Sequence, residues 1–152
     1  MSIWWSLHLR REAASVPLAR RLLLGAMETA GVDPDISYDL SVALSEACAN
    51  AVEHGGDAVS GSASAAYRVT AYLDGEKCRI EVADSGPGFP VRRGRRAAVP
   101  VRTGALAEHG RGLGLIEQLA DHVHFGNRPG RGAVISFDKI LKWREGALLK
   151  VS

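Results

Sequence analysis

The chain has 152 residues, 24% of them charged and 46% hydrophobic, with a formal net charge of +2. That length suits one domain with a sizeable core, and the composition excludes a disordered or fibrous polypeptide. Neither a strongly acidic nor a strongly basic partner follows from so small a net charge.

The first expected element is a strand, because Ile3, Trp5, Leu7 and Leu9 alternate with Trp4, Ser6 and His8 in the period-2 pattern of a half-buried strand. Its leading stretch, MSIWWSLHLRRE, carries charge after a short alternating segment, whereas a secretory signal carries it before a continuous apolar one. No run approaches the ~18 consecutive apolar residues of a membrane helix, and the expected setting is the cytoplasm.

Ser15 is the expected N-cap of a first helix with Pro17 at its second position, a buried stripe of Leu18, Leu22 and Ala26, and a stop at Gly31. Asp33 and Pro34 then read as N-cap and first residue of a second helix, since proline lacks only a donor that a helix start leaves unpaired. Leu40, Leu44, Ala47 and Ala51 mark its buried stripe, and Gly55 ends it.

Residues 56–66, GDAVSGSASAA, have no core-forming periodicity and read as a loop. Val69, Ala71 and Leu73, then Cys78, Ile80 and Val82, alternate on either side of Asp74-Gly75, which predicts two antiparallel strands joined by a short turn. Cys48 and Cys78 show neither CxxC nor a metal-ligand spacing, so neither a zinc site nor a disulfide framework is indicated; each is expected to be a small buried hydrophobe.

Residues 90–110 lack clear periodicity and exceed the ~12–15 residues usual for an unstructured loop. They gather Arg92, Arg93, Arg95, Arg96 and Arg102 and are read as a lid. A short helix is predicted from GRGLGLIEQL with Leu115, Ile116 and Leu119 as its apolar positions. Strands at 123–125 and 133–137 follow, with weak alternation after Asp138 that extends the last one. Strand, two helices, two strands, lid, helix and two strands suggest helices on one face of a largely antiparallel sheet.

Three stretches carry candidate chemistry. In SEACANAVEHGG, Glu46, Asn50 and His54 recur every four residues and fall within about 80° of one another around the helix, on a different stripe from the leucines and alanines. Asn is a mediocre helix former and usually has a local or tertiary reason to be mid-helix. A carboxylate one turn from a carboxamide oxygen suits a general base and a hard-cation ligand; a solvated polar stripe explains the helix alone equally well.

In ADSGPGF, Asp84 ends an alternating strand, and Gly86 and Gly88 allow close backbone approach to a ligand, although a plain Asp-Ser-Gly-Pro-Gly turn would look the same. In GRGLGL, residues 110–115, alternating glycines open a helix whose N–H groups and dipole form a ready anion site, and Arg111 adds a charge suited to phosphate. The Rossmann pattern after a strand and the P-loop pattern are both missing, as are the HRD, DFG and VAIK motifs of eukaryotic-type protein kinases.

Together, SEACANAVEHG, DSGPGF and GRGLGL resemble the N, G1 and G2 boxes of the GHKL ATPase superfamily, the Bergerat fold, in the right order and on suitable elements. Within it the chain is most similar to the anti-sigma factor serine/threonine kinases of the SpoIIAB and RsbW type, over nearly its whole length. The resemblance implies an α+β fold, a two-layer α/β sandwich with a mixed, mostly antiparallel sheet and helices on one face. It implies one domain over 1–152, an ATP lid at about 90–110, and ATP with Mg²⁺ as cofactors.

By the same resemblance Glu46 is the catalytic base, Asn50 holds Mg²⁺, and Asp84 accepts a hydrogen bond from the adenine amino group beside Gly86 and Gly88. Gly110, Arg111, Gly112, Leu113 and Gly114 wrap the phosphates; His54 matches the pattern without an assigned role. Many members carry Gly-Thr at the start of the last strand, where this chain has Gly132-Ala133. The implied activity is phosphorylation of a STAS-type anti-anti-sigma partner together with sequestration of a sigma factor. A non-catalytic, ATP-gated binding protein is the alternative.

Family members often dimerise, so a homodimer involving the Trp4-Trp5 strand is also implied. Direct nucleic-acid binding through the arginine cluster is disfavoured, because few aromatics interleave it and the rest of the chain is not basic.

Overall fold

In the computed structural model of the chain, residues 2–54, 66–84, 112–128 and 132–147 are described. Three helices occur among them, α1 (Ser15–Ala30), α2 (Pro34–His54) and α3 (Gly112–Leu119). The strands are β1 (Ile3–Arg10), β2 (Ala66–Leu73), β3 (Lys77–Asp84), β4 (His122–Arg128) and β5 (Gly132–Ile140). They form one sheet in the order β1-β2-β3-β5-β4, and every neighbouring pair is antiparallel. Among the described residues every pairing is thus antiparallel, where a mixed, mostly antiparallel sheet was expected.

Alternation decides which face is covered. Val69, Ala71 and Leu73 of β2, Cys78, Ile80 and Val82 of β3, and Ile135 and Phe137 of β5 are buried; they share that core with residues of all three helices. β1 is an edge, and of its inward side chains Trp5, Leu7 and Leu9 only Leu9 is fully buried. α2 touches both α1 and α3 and lies against β3, with its predicted stripe of Leu40, Leu44, Ala47 and Ala51 wholly in the core. Its start is also as read: the Asp35 N–H donates to Asp33 Oδ1 at 2.8 Å.

Two expectations for α1 are corrected. Leu18 and Leu22 are 45% and 44% exposed, and the buried stripe is Ala19, Leu23, Met27 and Ala30. The run LARRLLLGAMETA supports two helical stripes one residue apart. The one that runs on to Ala30 and has small residues at both ends seats the helix closely, whereas the other meets Thr29. Ser15 is the first helical residue rather than the cap, and Ala14 at the cap position makes no side-chain cap. The Ser15 hydroxyl donates instead to the Glu12 carbonyl at 2.7 Å and bonds the Tyr67 hydroxyl at 2.6 Å.

Gly31 ends α1 with φ 93°, its N–H donating to the carbonyls of Met27 and Glu28. A Cβ there would lie 2.5 Å from the Ala147 Cβ, so glycine is required by conformation and by space. The segment after β5 folds back onto this joint. The Asp33 N–H donates to the Lys142 carbonyl, the Arg144 N–H to the Gly31 carbonyl, Arg144 Nη2 to the Glu28 carbonyl and Trp143 Nε1 to the Gly75 carbonyl.

β4 and β5 are longer than predicted, and β5 includes the weakly alternating residues up to Ile140. In α3 the fully buried positions are Leu113 and Ile116, while Leu115 and Leu119 are half-buried. The turn between β2 and β3 is built on Asp74, whose Oδ1 accepts from the N–H groups of Glu76 and Lys77 at 2.7 and 2.9 Å.

Gly25 lies in the middle of α1 with nothing within 4 Å of where a Cβ would stand. Gly25→Ala should therefore raise the unfolding free energy by about 0.5–1 kcal/mol in urea titrations. The hydrogen bond from the Lys77 backbone, opposed by partial burial, leaves the Asp74 carboxyl below its ordinary 3.8. Its stabilising contribution is therefore complete above that value and is lost as pH falls through the lower, folded one. Asp74→Asn should be less stable than wild type at neutral pH, with the gap narrowing below about pH 4 in pH-dependent melts.

Candidate functional site

α2 is polar beside its buried stripe, and that neighbouring stripe carries Glu46 and Asn50. Glu46 is half-buried. Asn50 is only 8% exposed, and its Oδ1 is buried with no hydrogen-bond partner. A buried carboxamide oxygen left unpaired costs about 1–3 kcal/mol, so this atom is poised for something other than the fold. An unpaired neutral carboxamide oxygen is the kind of donor that Mg²⁺ takes, and the residue fits the implied metal.

Asp84 ends β3 and is 8% exposed. Its Oδ1 accepts from the Ala133 N–H at 3.2 Å. The substitution of alanine for the family threonine at 133 removes a hydroxyl, yet the backbone of the same residue holds the carboxylate. That contact was not foreseen from sequence, because only the side chain of 133 enters a motif comparison.

A buried row of hydroxyl and thiol groups joins α2 to the strand end that bears Asp84. Tyr67 is the register partner of Asp84, bonds Ser15 and lies beside the Cys48 thiol. Cys48 stands between Glu46 and Asn50 on α2, so the polar turn of this helix lies over the same end of the sheet as Asp84. Burial, partly offset by the Tyr67 hydrogen bond, pushes the Cys48 thiol up to about 12; it is a packed neutral group. The inward direction of Tyr67 was legible, since it continues the phase of Val69, Ala71 and Leu73.

The N-terminal turn of α3 supplies Gly112, Leu113 and Gly114. The Leu113 side chain is in the core, so any ligand contact it makes is through its backbone N–H; Gly114 has nothing within 4 Å of its Cβ position. Gly86, Gly88, Gly110 and Arg111, and the lid at 90–110, lie outside the described residues, as does the side chain of His54. Among the described residues no group of three or more His, Cys, Asp or Glu side chains forms a metal site, and no helix is long and apolar enough to cross a membrane.

The model of the histidine kinase-like ATPase domain matches residues 9–139. This chain belongs to that family. Within the histidine kinase-like ATPases it groups with serine-protein kinases. It is 32% identical to the serine-protein kinase RsbW of Bacillus licheniformis over 130 residues, which cover 83% of this chain and 78% of that protein. With the serine-protein kinase RsbW of Listeria innocua it shares 32% identity over 122 residues, 78% of this chain and 76% of the relative.

The fold agrees. The crystal structure of the RsbU and RsbW domains of Rv1364c from Mycobacterium tuberculosis superposes with a TM-score of 0.62 at 20% identity. It covers 91% of this chain, which spans 33% of that longer one. As an RsbW-type histidine kinase-like ATPase, the chain has ATP as its nucleotide and is a GHKL-type serine/threonine kinase.

If Asn50 is kept for a ligand rather than for packing, Asn50→Leu, which keeps the same branched heavy-atom skeleton, should leave the nucleotide-free protein at least as stable as wild type. Urea unfolding checks this. A loss of more than about 2 kcal/mol would mean that the carboxamide is structural.

Proposed function

We propose that the protein transfers the γ-phosphoryl group of ATP to a serine or threonine of a STAS-type anti-anti-sigma partner and sequesters a sigma factor when unphosphorylated partner is scarce. The observation that carries the reading is the unpartnered Asn50 oxygen, one helical turn beyond half-buried Glu46 and over the sheet end that holds Asp84.

Glu46 is the group that accepts the proton of the attacking hydroxyl, and its partial exposure leaves it reachable by a protein substrate. Asn50 Oδ1 is a ligand for Mg²⁺, which when bound neutralises phosphate charge and aligns the γ-phosphoryl group. Asp84 accepts from the adenine amino group while the Ala133 N–H fixes its other side. The N–H groups at Gly112, Leu113 and Gly114 face the phosphates at the positive end of α3. Gly86, Gly88, Gly110 and Arg111 complete the nucleotide contacts, and the cytoplasm is the setting.

Phosphoryl transfer asks the protein chiefly for positioning and charge neutralisation. What supports the reading is that Glu46 and Asn50 stand one turn apart on the same helix, α2. A nucleotide clamp that only gates partner binding has no use for Glu46.

Transfer of labelled γ-phosphate to a STAS-type protein tests the reading. Glu46→Ala should lose about a hundredfold or more in rate while keeping its ATP affinity, and Asn50→Ala should lose Mg²⁺-dependent ATP binding. Undiminished transfer in both variants would sink the mechanism. Mg-ATP binding without transfer to any partner would favour the gated binding protein instead.

A further inference from the structure

The end of α2 that bears Asn50 is also the end of a helix, where the last four carbonyls have no intrahelical acceptor role and the terminal turn frays readily. Two of those carbonyls are taken. Arg11, just beyond β1 and forty residues upstream in sequence, donates from Nε to the Ala51 carbonyl at 3.2 Å and from Nη2 to the Val52 carbonyl at 2.8 Å. A guanidinium there meets the negative end of the helix dipole as well as the carbonyls, and its planar fork suits two adjacent acceptors in a way that an ammonium does not.

The segment holding Arg11 is itself fixed. The Glu12 N–H donates to the Arg10 carbonyl and the Ser15 N–H to the Glu12 carbonyl. Ser15 then ties the segment to Tyr67, the register partner of Asp84. One short connection therefore grips the Asn50 turn on one side and the Asp84 strand end on the other.

We propose that Arg11 is a positioning residue for nucleotide binding, which keeps the final turn of α2 helical and thereby holds the Asn50 carboxamide where a phosphate-bound metal needs it. The proposal rests on the nucleotide reading above. It adds that the affinity of the site for Mg-ATP depends on a residue that touches neither the nucleotide nor the metal.

The test uses the full chain with Arg11→Ala and Arg11→Lys. Amide hydrogen exchange is followed without nucleotide, and ATP affinity is measured by calorimetry with Mg²⁺ and with EDTA. Arg11→Ala should exchange the amides of residues 51–54 about tenfold faster while the β2 and β3 amides stay as protected as in wild type. Its ATP affinity should fall about tenfold with Mg²⁺ and stay unchanged in EDTA, and Arg11→Lys should fall between it and wild type in both measurements.

Unchanged exchange at 51–54, or equal loss of ATP affinity with and without Mg²⁺, would overturn the role of Arg11. If the β2 and β3 amides lose protection too, the residue is a general stabiliser and the proposal fails. Wild-type protein with no measurable ATP affinity would instead sink the nucleotide reading, and this proposal with it.

Discussion

A helix that must be buried along one stripe and chemically available along the next has almost no freedom to rotate, and α2 is under that constraint. Leu40, Leu44, Ala47, Cys48 and Ala51 are in the core, while Glu46 and Asn50 occupy the adjoining stripe. A rotation of one residue, about 100°, would put Glu46 into the hydrocarbon or Asn50 into solvent. The small residues Ala43, Ala47, Cys48 and Ala51 let the helix approach the sheet closely, and close approach brings a polar stripe near the strand ends. Core composition and site geometry are two aspects of one seating.

Much of this was readable in advance because the signals are local. The alternation in β2 and β3 fixes their inward faces, Asp33-Pro34 fixes where α2 begins, and Asp74-Gly75 fixes the turn. Each depends on a few neighbouring residues and on backbone geometry that they settle themselves. α1 shows where this stops: Leu18-Leu22-Ala26 and Ala19-Leu23-Met27 are equally good stripes in isolation, and only contact with α2 and the sheet chooses between them. Ser15 failed as a cap for a related reason, since Tyr67 offered its hydroxyl a buried partner more than fifty residues away.

The site divides the same way. Glu46, Asn50 and Asp84 were ambiguous one stretch at a time, and only the three boxes taken together singled them out. Their supports did not stand out. Arg11 contributes through two carbonyls, and Ala133 contributes its amide, so neither leaves a trace in a pattern of side chains. The supporting shell of a site built on backbone groups is invisible to a reading by residue type, whatever the quality of its motifs.

The return of residues 141–147 onto the joint between α1 and α2 bears on how the chain comes to be folded. Val32 bridges to Trp143, and the Gly31 carbonyl, the Asp33 N–H and the Glu28 carbonyl are all satisfied by residues translated after the five strands. During synthesis, both helices and the first three strands emerge while that joint still lacks its partners. Contacts spanning more than a hundred residues form late and slow a folding reaction. The joint between α1 and α2 therefore closes only once all five strands that precede residues 141–147 have been made.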